Sequence, residues 1–331
     1  MWVSWGVDPS LPEHFPLVCP ACRRRGEDGW HVHTLALAQT FRGTGPVRDG
    51  ILACRNPECR REYPILDGIP MVARPLAAAV LTEPPSAPEL VSLLLRDEAD
   101  DSALARVCEH LSIYLDTQWG DRATPALEAW GFAPLAELLG RWCMTPVERA
   151  VDLGTGLGRA LTLVNARLRV GLDRHFAGLR RARDLLAGEE VRYARRELGR
   201  HYAPASVSGV WTSAALVCGD ALEPPFAPAS CDRVVALNLL DVVSDPGRLV
   251  DVAAGLTAPG GELILSAPFA WQSGTVDEDK RLGGADPRTA LAVQLAAHGV
   301  EILETAEVGW TLRRDARAEV VYRVHALRGK K

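Results

Sequence analysis

Residues 151–158 read Val-Asp-Leu-Gly-Thr-Gly-Leu-Gly, and Asp173 closes the next apolar run. Apolar residues lead into Asp152 as on a buried strand, and Gly154, Gly156 and Gly158, with Thr155 between them, let the backbone turn sharply and approach a ligand. An acid about 20 residues beyond such a turn is placed to hold ribose hydroxyls, which gives Asp173 that role. Nicotinamide and flavin sites share this strand, turn and helix, so the glycines alone leave a dinucleotide site or a structural turn open. Asp152 weighs against the dinucleotide, because a pyrophosphate at a helix N-terminus needs uncharged backbone there. S-adenosylmethionine (SAM) has no phosphate and carries a sulfonium.

The elements that must position this turn follow in order. From Arg149 the pattern alternates strand and helix: a strand at 150–153, a helix from Leu157, a strand at 170–173, a helix from Phe176 and a strand at 214–218. That is the signature of a parallel sheet. Gly219-Asp220-Ala221 falls at the carboxyl edge, where open α/β sheets bind ligands, and Asp220 is placed to receive the adenine amino group. A fourth strand at 232–237 ends in Asn238-Leu239-Leu240-Asp241, and Pro259-Gly260-Gly261 precedes a fifth at 262–266. A helix at 287–298 and strands at 300–308 and 319–327 supply an antiparallel hairpin. Residues 188–210 exceed a usual connection, and they read equally as an insertion near the substrate or as a surface excursion.

This ordered series is similar to the class I SAM-dependent methyltransferases. The resemblance implies a Rossmann-like α/β fold with a mostly parallel seven-stranded sheet. It also implies SAM held by Asp152, Gly154, Thr155, Gly156, Gly158, Asp173, Asp220, Ala221 and Asn238, with S-adenosylhomocysteine (SAH) as product.

Eight cysteines, in a chain expected in the cytoplasm, argue against a disulfide framework. Cys19-Pro20-Ala21-Cys22 and Cys54-Arg55-Asn56-Pro57-Glu58-Cys59 form two pairs in turn-forming sequence, and two such turns place four thiolates around one tetrahedral zinc. The alternative is four reduced, buried or redox-active thiols. Zinc binding would contribute folding free energy to a small module with a thin apolar core. Cys108, Cys143, Cys218 and Cys231 lie in apolar surroundings and read as small hydrophobes. After the second pair, 61–72 reads as a strand, an Asp-Gly turn and a strand, with Tyr63-Pro64-Ile65 and Asp67-Gly68-Ile69-Pro70. Residues 15–73 thereby resemble the small zinc-ribbon activator subunits of tRNA, rRNA and translation-factor methyltransferases, departing from them by four residues inside the second pair rather than two. The resemblance implies a structural zinc and a surface that packs on a methyltransferase domain, here in the same chain. Prolines and alanines at 75–90 read as a linker, and leucines from Leu90 to Leu115 and then 127–143 as helices. The expected organisation is a zinc ribbon at 1–75, a linker and helical cap at 76–145 and a SAM-dependent methyltransferase domain at 146–331.

With 47% hydrophobic residues the chain can bury a large core, and no apolar run reaches the roughly 20 residues that span a bilayer. The N-terminus lacks a basic segment followed by a hydrophobic one, so a cytoplasmic location is expected. A net charge of -5 offers no global field to collect nucleic acid. The arginines at 180, 181, 183, 192, 195, 196 and 200 read as a solvated helix face.

Methyl transfer is an in-line displacement in which the protein chiefly orients the nucleophile and excludes water. Candidates for that work are Tyr114 and Trp119, Asn238 and Asp241, and Phe269 and Trp271; packing, or a helix cap at Asp241, is the plain alternative for each. Tyr114-Leu115, Trp119-Gly120, Asn238-Leu239-Leu240-Asp241, 266–271, Gly283-Gly284 and Trp310-Thr311-Leu312-Arg313 with Arg317 together resemble the C-terminal domain of ovothiol biosynthetic enzymes, over residues 110–327. That domain methylates an imidazole nitrogen of a thiolated histidine. The resemblance implies a small-molecule substrate, Tyr114 or Asp241 orienting the ring, Trp119, Phe269 and Trp271 in the substrate site, and Arg313 on a carboxylate. The sulfoxide synthase half of those enzymes does not precede it, so the acceptor is an ovothiol precursor made elsewhere, a selenium analogue or another small imidazole. The competing class is an rRNA, tRNA or protein methyltransferase with the ribbon gripping its substrate; the acidic charge and the lack of an Asn-Pro-Pro-Tyr signature weigh against it. A non-catalytic SAM-binding scaffold is a third class, which the intact ligand motifs disfavour. The chain is expected as a monomer or homodimer.

Overall fold

The computed structural model describes residues 15–26, 29–41, 47–72 and 84–331. The expected leaderless N-terminus lies outside them, as does the expected linker at 75–90 up to residue 83, and the end of that linker runs into a helix that begins at Pro88.

The N-terminal strands are β1 (Arg24–Gly26), β2 (Gly29–His31), β3 (Leu35–Thr40), β4 (Gly50–Cys54), β5 (Glu62–Leu66) and β6 (Ile69–Pro70). β1 and β2 form a ribbon, and β3 to β6 form an antiparallel sheet in chain order. The turn into β6 requires left-handed backbone at Asp67 and Gly68, with φ of 50° and 80°. Helices α1 (Pro88–Leu94) and α2 (Ala103–Trp119) follow. Ser102 caps α2 by accepting from the Ala105 amide at 3.2 Å, and Cys108, Leu111, Leu115 and Trp119 make its buried stripe.

After β7 (Ala123–Thr124) and α3 (Ala133–Trp142) the chain enters a seven-stranded sheet. Its parallel strands are β8 (Val147–Leu153), β9 (Ala166–Asp173), β12 (Ala215–Cys218), β13 (Cys231–Leu237) and β14 (Thr257–Ala267), with α4 (Phe176–Leu186), β10 (Glu190–Leu198) and β11 (His201–Ser208) inserted between β9 and β12. α5 (Pro246–Leu256) leads into β14, and α6 (Pro287–Ala297) leads into β15 (Glu301–Asp315) and β16 (Ala318–Lys330), which pair antiparallel with each other and, through β16, with β14. The order β12-β9-β8-β13-β14-β16-β15 is the Rossmann-like arrangement expected from the sequence. β13 and β14 carry runs of Val, Ile and Leu because helices cover both faces.

Three expectations are corrected. The helix from Leu157 is a single 3₁₀ turn, Arg159–Thr162, because β9 begins at Ala166 and leaves no length for more. α3 covers that face instead, its Leu135, Leu139 and Trp142 joining Ala160, Val164, Val235 and Ile264 in one core cluster. The helix expected over 127–143 is confined to Ala133–Trp142, since Gly131 passes so close to β15 that a Cβ would lie 2.0 Å from the Thr311 carbonyl oxygen. The arginine series is not one solvated face: 188–210 is the β10–β11 hairpin, and strand alternation sends Arg195 inward, 4% exposed. Arg180 on α4 pairs with Asp67 at 3.0 Å, and Arg183 donates to the Asp67 carbonyl at 3.0 Å, clamping the β5–β6 turn.

The N-terminal strands and the large sheet share a core. Phe15, Leu17 and Tyr63 belong to the same buried cluster as Val151, Val217 and Phe226, and the Phe15 and Phe226 rings meet edge-on at 5.3 Å. Met71 bridges Cys218 in parallel register and Val72 donates to the Cys218 carbonyl at 2.8 Å, so the segment after β6 extends the large sheet beside β12.

Candidate active site and thiolate cluster

The glycine turn sits at the carboxyl ends of β8 and β9. Gly154 and Thr155 donate to the Leu172 carbonyl at 2.8 and 3.0 Å, and Gly154, Gly156 and Gly158 all have positive φ. A Cβ on Gly154 would lie 2.7 Å from Leu239, and one on Gly156 would lie 2.7 Å from the Gln118 amide nitrogen. The last turn of α2 pins the loop from above: Gln118 Oε1 accepts from the Leu157 amide and the Trp119 indole donates to the Leu157 carbonyl, each at 3.0 Å.

Beside the turn lies a cavity of about 290 Å³. Asp152, Gly154, Thr155, Gly156, Asp173, Asp220, Ala221 and Asn238 line it, together with Tyr114. Gly158 lies just beyond the lining and starts the 3₁₀ turn. Asp173 accepts from the Gly156 amide at 2.9 Å and the His175 amide at 2.8 Å, which aims its remaining lone pairs at the cavity. Asp220 accepts from the Leu222 amide at 2.9 Å and stands 3.7 Å from Arg174. Asn238 ends β13 with φ of 51°, held by Ser266, whose hydroxyl donates to its side-chain oxygen at 2.8 Å.

Two buried polar atoms on this wall, Asp152 Oδ2 and Thr155 Oγ1, lack a hydrogen-bond partner. Burial pushes the Asp152 carboxyl up to about 7, with the neighbouring Thr155 hydroxyl acting against the rise and Asp173 adding to it. Buried acceptors without partners are costly, and a cationic ligand that also offers hydroxyls and an amine would satisfy this set. SAM fits these residues.

Other sequence candidates lie elsewhere. Trp119 is fully buried and holds Leu157 with its indole, so it faces no substrate. Arg313 is not among the cavity-lining residues: its guanidinium donates to Asp116 at 3.0 Å, in a buried network where Arg195 also reaches Asp116, at 2.9 Å, and the Tyr193 hydroxyl donates to it. The cation in the cavity wall is Arg174. Asp241 also lies outside the lining. It is 4% exposed, accepts from the Ala270 amide, and has its carboxyl raised by burial, against which the 269–271 backbone amides act. It thereby holds the 269–271 loop, where Phe269 and Trp271 adopt positive φ and stand 5.9 Å apart outside the cavity lining, with Thr275 reaching the wall further along. His110, Gln118, Phe132 and Thr275 line the cavity and were not picked out by sequence, and Trp310, quoted there only among the residues that carry the ovothiol-domain resemblance, lines it too. The signal that could have found His110 is its place one helical turn before Tyr114.

In the N-terminal part, one sulfur from each of Cys19, Cys22, Cys54 and Cys59 lies within 4.8 Å of the others. The Cys19–Cys59 and Cys22–Cys54 separations are 3.9 and 3.7 Å. Four sulfurs about 2.3 Å from a tetrahedral ion would stand about 3.8 Å apart, so the cluster has the dimensions of a metal knot. The Asn56 backbone and side-chain amides approach Cys54 and Cys22 at 3.4 and 3.5 Å.

Residues 151–265 match the methyltransferase domain family. They are a SAM-dependent methyltransferase domain. Among solved structures, a methyltransferase of Bacillus halodurans C-125, described as putative, is 14% identical, with 59% of this chain and 98% of that chain covered and a TM-score of 0.42. A chain from the complex between the Haloferax volcanii Trm112 methyltransferase activator and a methyltransferase, the latter also described as putative, is 18% identical, with 60% and 89% covered and a TM-score of 0.39. The N-methyltransferase NodS of Bradyrhizobium japonicum WM9, in complex with SAH, is 13% identical, with 60% and 85% covered and a TM-score of 0.41. Comparison with curated proteins found no match. Among the described residues no helix is long and apolar enough to cross a membrane.

Proposed function

We propose that the chain N-methylates the imidazole ring of a small histidine-derived thiol or selenol. The observation that carries this reading is the wall facing the glycine turn, where Tyr114, Phe132 and Trp310 offer aromatic surface to a flat ring. Asp173 holds the ribose hydroxyls of SAM, Asp220 the adenine amino group, and Asp152 with Thr155 the amino acid end, while Asn238 and Ala221 complete the wall. SAM supplies an electrophilic methyl group and leaves as the neutral thioether SAH. The protein's own contribution is orientation and exclusion of water. Burial, with Asp173 and Tyr322 nearby, pushes the Tyr114 hydroxyl up to about 12, so Tyr114 keeps its proton and acts as a hydrogen-bond donor. Asp241 acts by fixing the 269–271 loop rather than by touching the ring.

Residues 1–75 act as a zinc ribbon in which the four thiolates hold one structural Zn²⁺, residues 76–145 as linker and cap, and 146–331 as the catalytic domain. The test incubates purified protein and labelled SAM with 5-thiohistidine, or with total RNA and protein. Label in a methylated 5-thiohistidine is expected, and label confined to macromolecules rejects the imidazole acceptor in favour of a macromolecular one.

A further inference from the structure

α2 presents His110 and Tyr114 to the cavity one turn apart, with their rings stacked at 4.4 Å and 28°. On its other side His110 meets the His175 ring at 4.3 Å. His175 is committed to the fold, because its Nδ1 accepts from the Gly178 amide at 3.2 Å and caps α4. Gln118 is similarly committed to Leu157. His110 differs, since neither of its ring nitrogens makes a hydrogen bond among the described residues, and the same holds for the Tyr114 hydroxyl. Two side chains that line the cavity therefore keep their hydrogen-bonding capacity unspent, and the SAM assignment gives neither a role.

An imidazole acceptor carries one N–H and one nitrogen with a lone pair, and only the latter attacks a methyl group. Whichever wall group takes the N–H thus decides which nitrogen is methylated. We propose that His110 is the catalytic residue that binds the acceptor ring, accepting a hydrogen bond from its N–H and so presenting the opposite nitrogen to the methyl donor: the new N–C bond forms as the S–C bond of SAM breaks, the positive charge passes from sulfur to the methylated ring, and the N–H proton is lost to solvent after the product leaves. The inference rests on the imidazole reading above and adds the residue that selects the nitrogen. Burial, together with His175, pushes the His110 imidazole down to about 3, so at neutral pH it keeps the free lone pair that this contact needs. Tyr114, holding its proton, is the complementary donor on the same face.

The experiment compares wild type with His110→Ala and His110→Gln. Calorimetry measures SAH binding and then 5-thiohistidine binding to the SAH complex, and NMR assigns the N-methyl isomers formed from SAM. For His110→Ala we expect SAH affinity within about twofold of wild type, 5-thiohistidine affinity about tenfold weaker, and a mixture of isomers where wild type gives one. His110→Gln, which keeps a neutral acceptor, restores the single isomer. Unchanged acceptor affinity and isomer ratio in both variants overturn the assignment, as does a loss of SAH affinity equal to the loss of acceptor affinity. Wild type that binds SAH but not 5-thiohistidine overturns the imidazole reading itself, and this inference with it.

Discussion

Replacing Asp152 by Asn tests whether the SAM site is built at the expense of stability. The carboxyl ordinarily titrates at 3.8 and stands at about 7 in the fold, where it is 2% exposed. An acid whose pKa is higher folded than unfolded binds more protons in the native state between those two values, so stability falls as pH rises from about 4 to about 7 and stays low above. The interval corresponds to up to about 4 kcal/mol, or about 6 °C in Tm for a chain of this length. Asp152→Asn removes the buried charge with little change of shape. The ligand-free variant should therefore melt several degrees higher than wild type at pH 8.5 and show a much smaller gain at pH 5.5. It should also bind SAM roughly 10- to 100-fold more weakly, having lost a charged hydrogen-bond acceptor. In wild type, SAM affinity should weaken as pH falls below about 7. Differential scanning fluorimetry and calorimetry at the two pH values decide it: an Asn variant no more stable than wild type at pH 8.5 refutes the claim that this carboxylate is held against its desolvation.

Asp173→Ala should weaken SAM binding by at least about 100-fold, because the change removes the ribose contact and frees the Gly156 and His175 amides; unchanged affinity in a binding titration would overturn the ribose assignment. Metal analysis should find one zinc per chain, and Cys54→Ala should lose both the zinc and several degrees of Tm, whereas zinc-free protein with all four cysteines intact rejects the ribbon. Arg313→Ala should lower stability by about 1–3 kcal/mol, through loss of the Asp116 pair, while leaving 5-thiohistidine affinity within about twofold; a selective loss of acceptor binding would return Arg313 to the substrate site.

The parts of the fold and site legible in the sequence were those set by short-range spacing. Gly154 and Gly156, the acids Asp152, Asp173 and Asp220, and the two cysteine pairs each occupy a few consecutive positions, and the fold brings the glycines and acids to one cavity and the four sulfurs to one cluster. The helix expected from Leu157 failed because strand length, fixed by pairing with β8, decides what remains for the connection. Arg313 was misplaced because Asp116, which neutralises it, lies 197 positions away and only the fold brings the two together. Asp241 looked like a catalytic acid at a strand end, but the three amides that surround it come from a loop after the next strand. His110 was invisible for the converse reason: one histidine on an amphipathic helix has no signature until that helix is laid over the glycine turn.

Strand pairing of Met71 and Val72 with Cys218 closes the flank of the large sheet at β12. A sheet flank left open offers a row of unsatisfied amides and carbonyls to any other chain in solution. The bridge at Met71 and the Val72 amide cover the Cys218 end of that flank, and they bring Val72 so close to the cavity rim that a Cβ on Gly219 would lie 3.0 Å from it.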